Sequence, residues 1–140
     1  MINFTPRRAA ILMCDFDMAR VPPEMRKNRR IVVISPKSYN HPGPIVRGVS
    51  DPGRCVVVPF SATKPAVLRA SHVHIPVGTY RSLTKDVWAI CDLIDHVSHT
   101  RLDRVAVSTS FLSESLTPSD MARIESGISH ALGISRPETP

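Results

Sequence analysis

Arg29-Arg30-Ile31-Val32-Val33-Ile34-Ser35-Pro36 is the stretch on which the reading of this chain turns. Its β-branched run reads as a buried strand from Arg29 to Ser35. A second stretch of the same kind follows, Val57-Val58-Pro59-Phe60-Ser61-Ala62-Thr63. The first begins on paired arginines and the second ends on two hydroxyls. If the two strands are neighbours, a fixed cation and a hydroxyl meet at one rim of a sheet. That is the least equipment able to hold a phosphodiester and stabilise the charge that builds on it.

Working outward, Ala10 to Phe16 reads as another strand. Ala10, Leu12, Cys14 and Phe16 share one face, and Asp15 and Asp17 lie on the other near its end. Met18 to Asn28 is a polar loop, in which Pro22-Pro23 forbids helix and stiffens the backbone. Pro36 to Gly53 carries Pro36, Pro42, Pro44 and Pro52 with Gly43, Gly48 and Gly53, and reads as turns or a mobile loop. Arg54 to Phe60 is a strand, Ser71 to Val77 a short one, and Val87 to Val97 one long enough to bend or to split. No 20–50-residue repeat is visible.

The chain closes differently. Thr117-Pro118-Ser119-Asp120 offers an N-cap, a proline in the first turn and an acid beside it. Met121, Ile124, Ile128, Ala131 and Leu132 then recur at helical spacing, and Gly133 is a suitable stop. The expected architecture is mainly β, of the α+β kind: a small barrel or strongly curved sheet with an amphipathic helix packed on it.

The 140 residues suit a single domain. We place it at 9–134, with an N-terminal extension, 1–8, and a loose tail, 135–140. No apolar run approaches the roughly 20 residues of a membrane helix. The Arg7-Arg8 start lacks the long apolar core of a secretory signal. The expected location is cytoplasmic. Cys14, Cys55 and Cys91 each sit in an apolar run. Odd in number and widely spaced, they give neither a disulfide framework nor a zinc pattern, and read as buried free thiols.

The net charge of +6 is unevenly spread. Residues 1–70 hold 12 Lys and Arg against 4 Asp and Glu; residues 71–140 hold 6 against 8. Between Arg20 and Arg47 stand seven basic residues and one acid, Glu24. A basic half that contains the candidate site suggests a polyanionic partner. A solvated basic loop with no ligand is the plain alternative.

In this order the pieces resemble the MazF/PemK/Kid-type toxins of type II toxin–antitoxin systems. Asp15-Phe16-Asp17 resembles the end of the family's first strand. Pro22-Pro23-Glu24-Met25-Arg26-Lys27-Asn28-Arg29-Arg30 occupies its Gly-Ser-Glu-Gln-x-Gly-x-Arg-Pro loop, with Glu24 and Arg29 at matching spacing. Ile31 to Ser35, with Pro36 and Tyr39-Asn40, continues the match. Val58-Pro59-Phe60-Ser61 resembles the Val-Pro-x-Thr/Ser strand end, and Arg101-Leu102 the close of a later strand. The departures lie in the loop: Pro22-Pro23 stands for Gly-Ser, Met25 for Gln, Arg30 for Pro, and Ser61 takes the place of Thr.

The resemblance implies an SH3-like barrel of about five to seven strands and a metal-independent endoribonuclease that cuts single-stranded RNA at short motifs. It implies no cofactor, a homodimer, and a cognate antitoxin whose acidic segment covers the basic groove. The 2′-hydroxyl of the substrate attacks its own phosphate, leaving a 2′,3′-cyclic phosphate and a 5′-hydroxyl. Arg29 would stabilise the phosphoryl charge, since guanidinium offers a fixed fork of donors. Ser61 would donate to a phosphoryl oxygen, with Thr63 in reserve. Glu24 would orient Arg29 or take the 2′-hydroxyl proton. Arg26, Lys27, Arg30 and Lys64, with Thr63, would grip the RNA, and binding would weaken with salt.

Plainer readings accompany each residue. Arg29 and Arg30 read equally as strand-end surface charges, Ser61 and Thr63 as turn residues before Lys64-Pro65, and Glu24 as an ion-pair partner of Arg26 or Lys27. His72 and His74 share a strand face and His96 and His99 lie close together, but nothing supplies a third metal ligand. His72-x-His74 reads as the solvent face of an edge strand. Trp88 reads as core rather than as a base-stacking platform. The alternative function is a binding module on the same barrel, holding RNA without cutting or poisoning a protein target as gyrase-directed toxins of related fold do. A third is an accessory protein of a mobile element.

Overall fold

In the computed structural model, residues 1–16 and 27–134 are described. Among them the elements run β1 (Ile11–Asp15), β2 (Asn28–Val33), β3 (Gly43–Val46), β4 (Val49–Asp51), β5 (Arg54–Ser61), β6 (His72–Ile75), β7 (Val87–Ile90), β8 (Asp95–Ser98), β9 (Leu102–Val107), β10 (Ser110–Leu112) and α1 (Pro118–Leu132). Eight strands form one sheet in the order β10-β9-β1-β2-β5-β7-β6, with β8 also paired to β5.

The Ile31-Val32-Val33 run explains why β2 is central. Alternation sends Val32 to one face and Ile31 and Val33 to the other, and all three are buried. Val32 joins a cluster with Ile11, Val58, Phe60, Ala89 and the helix residues Met121 and Ile124. Ile31 and Val33 join a second cluster with Leu12, Cys14, Phe16, Val57, Val97 and Leu102. Burying side chains of this size contributes about 1.5–3 kcal/mol each. The face predicted for the first strand holds: Leu12, Cys14 and Phe16 lie in the second cluster with Ala10 packed against it.

Strand β5 is the hub. One edge pairs antiparallel with β2, Val33 opposite Val57 and Ile31 opposite Pro59. Its other edge is shared: Arg54 to Val57 pair with β8, and Phe60 and Ser61 with β7. The segment Val87 to Val97, read as long enough to bend or to split, does split at a 3-10 turn, Cys91–Leu93, and both pieces serve the same neighbour.

The stretch from Pro36 to Gly53 corrects the expectation of turns alone. It holds the β3–β4 hairpin, with Val46 opposite Val49. Between them Arg47 and Gly48 both have positive φ, 52° and 75°. That is the two-residue turn whose twist suits a hairpin. The hairpin is a separate two-stranded sheet, where Pro44 interrupts no central ladder. Residues 102–112, left without an assignment from sequence, form β9 and β10.

Helix α1 begins and ends as the sequence expected. The Thr117 hydroxyl accepts from the Asp120 N–H at 3.2 Å, and Gly133 takes the left-handed conformation at the C-terminus. Ala131 and Leu132, counted on the apolar face, are exposed. Ser35 and Asn40, which the resemblance singled out, form a buried polar knot. The Ser35 hydroxyl donates to Asn40 Oδ1 at 2.5 Å, Asn40 Nδ2 donates to the Pro6 carbonyl at 2.9 Å, and Val56 N–H donates to Ser35 Oγ at 2.9 Å. Residues before the domain are drawn onto it by that bond and by buried Ile2. No helix among the described residues is long and apolar enough to cross a membrane.

Candidate functional site

The condition set by the two strands is met: β2 and β5 are neighbours and run antiparallel. Antiparallel pairing brings the start of one beside the end of the other. The paired ladder ends at Ile31 opposite Pro59, and Arg29 and Ser61 each stand two residues beyond that end on their strands, at the same rim. Both lie within their strands and both are half-buried.

Ser61 is also the start of a local turn. Its hydroxyl oxygen accepts from the Thr63 N–H at 3.2 Å and lies 3.3 Å from the Thr63 carbonyl oxygen, to which it donates. The turn reading and the site reading therefore coexist at one residue. Thr63 and Lys64 are exposed just beyond it.

Arg30 points to the face of Val32. Its Nε donates to the Ser82 carbonyl at 2.5 Å. Ser82 is fully buried, and its N–H and hydroxyl donate to Glu114 Oε1 at 2.5 and 2.6 Å. Burial works to raise the Glu114 carboxyl, but the Ser82 hydroxyl, the N–H groups of Ser82 and Arg81, and the Arg81 charge outweigh it. The net shift is downward. Arg30 is thus anchored as a buttress, while its side chain still lines two depressions.

The smaller depression, about 210 Å³, is lined by Asn28, Arg29, Arg30, Phe60, Ala62, Thr84, Lys85 and Val87. It carries three basic side chains and no acid. The larger cleft, about 510 Å³, is lined among others by Asp15, Arg30, Arg101, Asp103 and Arg104. Its charges are mixed, and it suits a polyanion less well. The basic depression at the β2–β5 rim is therefore the better anion site.

Lys27, exposed with φ of 69°, closes the loop that carries the remaining residues: Phe16 N–H donates to its carbonyl at 3.0 Å, and Asp15 stands opposite Asn28. Glu24, Arg26 and the Pro22-Pro23 pair lie outside the described residues, as does the tail 135–140. The connection that bears Glu24 and Arg26 leaves the sheet from β1 and re-enters it on β2, the strand of Arg29.

Three contributors escaped sequence reading. Lys85 and Thr84 enter from the loop before β7, and Asn28 precedes the arginines. Nothing local marks Lys85, because only the β5–β7 pairing brings it to the rim. Trp88 belongs to neither buried cluster, against expectation; it is half-buried, and His74 stacks on it with ring centroids 4.9 Å apart and planes 17° apart. His74 is exposed on an edge strand, as expected, but the His72 side chain, read onto the same solvent face, is only 9% exposed and lies 3.7 Å from Asp92. His99 is buried with its Nε2 3.3 Å from Cys55 Sγ, away from His96 in role. Among the described residues, no group of three or more His, Cys, Asp or Glu side chains gathers as metal ligands.

Comparison with known proteins sets this geometry in a family. A family model described as PemK-like, MazF-like toxin of type II toxin-antitoxin system matches residues 7–132. An uncharacterized protein of Escherichia coli (strain K12), YifN, is 30% identical over 148 residues, covering 91% of each chain. MazF from Deinococcus radiodurans superposes with a TM-score of 0.65 at 16% identity, over 94% of this chain and 99% of that one. An endoribonuclease in complex with its cognate antitoxin, from Mycobacterial species, does so with a TM-score of 0.60 at 17% identity, over 94% and 99%. The family model spans nearly the whole chain, and the chain belongs to the PemK-like, MazF-like toxins of type II toxin–antitoxin systems.

Proposed function

We propose that this chain is the toxin of a type II pair and acts as a metal-independent, sequence-selective endoribonuclease on single-stranded RNA. The observation that carries the reading is the antiparallel β2–β5 rim, where the strand end bearing Arg29 lies beside the strand end bearing Ser61, at a depression lined by Arg29, Arg30 and Lys85. The bent sheet, with β5 shared between β7 and β8, is read as the family's SH3-like barrel.

The chemistry follows from the substrate. The ribose 2′-oxygen attacks its own phosphorus, the bond from phosphorus to the 5′-oxygen breaks, and the products are a 2′,3′-cyclic phosphate and a 5′-hydroxyl. In this scheme Arg29 stabilises charge on the phosphoryl oxygens, because guanidinium keeps its charge and presents paired donors. Ser61 adds a neutral donor at the same rim. Glu24 takes the 2′-hydroxyl proton in this scheme, and water protonates the departing oxygen. Lys27, Arg30, Lys64 and Lys85, with Arg26 and Thr63, hold flanking phosphates. A homodimer and an acidic antitoxin segment that occupies the basic rim complete the reading; the Mycobacterial relative is seen with its antitoxin.

The test incubates purified protein with a long single-stranded RNA and its DNA counterpart in EDTA, beside Arg29→Ala. Discrete RNA fragments with 5′-hydroxyl ends, from the unaltered protein only, are expected, with the DNA intact. RNA that stays whole at concentrations where it is bound would overturn cleavage and leave a binding module.

A further inference from the structure

The strand registers extend the rim into a row. Ser61 stands opposite Trp88 on β7, and Trp88 stands opposite His74 on β6. Ser61, Trp88 and His74 thus form one row across three strands, and Arg29 lies at the adjoining end of β2. Ser61, Trp88 and His74 point away from the first cluster, because their neighbours Phe60, Val87, Ala89, Val73 and Ile75 point into it. Directly opposed residues have Cβ atoms about 4.5–5.5 Å apart. Trp88 is therefore one strand from the candidate phosphate donor, on the same surface.

A half-buried tryptophan outside the core, stacked on an exposed histidine, is unusual in a chain with 5% aromatic residues. The two rings lie nearly parallel in a stack at the edge of the sheet, His74 on Trp88, with the imidazole 3.8 Å from Asp86, so the more exposed His74 is where the stack can be extended. Every nucleobase has a π-face, and unpaired bases stack on such platforms. A duplex keeps its bases stacked on each other and gives this surface nothing to bind.

We propose that Trp88 and His74 form a base-stacking platform, which holds an unpaired base of the RNA next to the phosphate gripped by Arg29 and Ser61. The proposal rests on the RNA reading of the same rim. It makes the platform a positioning element: the base is fixed, and with it the sugar whose 2′-hydroxyl attacks.

Trp88 is the only tryptophan, so its emission reports on the platform directly. The probe is a labelled, mixed-sequence oligonucleotide of 2′-O-methyl RNA, which the proposed chemistry cannot cut. Inorganic polyphosphate serves as the base-free polyanion. Quenching of Trp88 by the oligonucleotide and not by polyphosphate is expected. His74→Ala, at an exposed position, should weaken oligonucleotide binding about fivefold or more while leaving polyphosphate affinity unchanged. Trp88→Phe should retain most of the affinity, and Trp88→Leu should lose it. Oligonucleotide that binds by anisotropy without any change in Trp88 emission overturns the platform. So does quenching by polyphosphate of equal size. Quenching that persists while unmodified RNA is never cut upholds the platform and overturns the nuclease. No oligonucleotide binding even at low salt overturns both.

Discussion

Arg30 and Ser82, 52 positions apart, are joined by a 2.5 Å bond from the guanidinium Nε to the Ser82 carbonyl, and Ser82 hands the connection on to Glu114. Through this chain a strand-end cation is tied to the loop before β7 and to the segment that enters α1. The basic rim is thus braced from behind by a carboxylate that never faces the candidate site.

That carboxylate makes stability depend on acid. The folded-state pKa of Glu114 is depressed. Its contribution is therefore present above the unfolded carboxyl value and is lost as pH falls through the folded one. Urea midpoints measured from pH 7 downward should fall more steeply for the unaltered protein than for Glu114→Gln, with the two curves converging in acid. Parallel curves across that range would show that Glu114 carries no such linkage.

A second prediction concerns helix packing. A Cβ on Gly127 would meet Cys91 Sγ at 2.8 Å and Val73 Cγ2 at 3.3 Å. Alanine is the better helix former, yet here it forces α1 away from the sheet. Gly127→Ala should cost about 1–3 kcal/mol in equilibrium unfolding. Adding Cys91→Ala should restore part of the loss by removing the sulfur, and a double variant no better than the single one would contradict this account.

The thiols should be inert. Burial pushes Cys55 and Cys91 up to about 12, Asp92 adding to the effect at Cys91, and Cys14 is buried as well. Since the thiolate is the reactive form, iodoacetamide at pH 8 should leave the folded protein unmodified by mass spectrometry. In urea all three cysteines should react. Fast labelling of the folded chain at Cys55 or Cys91 would mean that these sites open far more readily than their packing implies.

Lys85 offers a test of the rim that involves no chemistry. If it holds a phosphate, Lys85→Ala should weaken single-stranded RNA binding and lower the slope of log affinity against log salt by about 0.7. Fluorescence anisotropy across a salt series measures both. Weaker binding with an unchanged slope would place Lys85 in the fold's support instead.

The sequence by itself determined the strands whose patterns are strong and local. Ile31-Val32-Val33 could only be buried, the alternation of Leu12, Cys14 and Phe16 specified a face, and Thr117-Pro118 with Gly133 bounded the helix. It also named Arg29 and Ser61, because their resemblance to a family pattern needs only order and spacing. The β3–β4 hairpin was not legible, since Pro44, Gly43 and Gly48 punctuate a short edge hairpin in the same way as a loop. The tertiary structure decided what lies opposite what. Register between strands far apart in the chain is set by the two buried faces together. It alone set the strand end of Arg29 beside that of Ser61, brought Lys85 to the same rim, tied Arg30 to Ser82 and turned Trp88 away from the core. A single-residue slip in register would turn every side chain of a strand to its other face, and for that reason no local stretch of sequence contains the site.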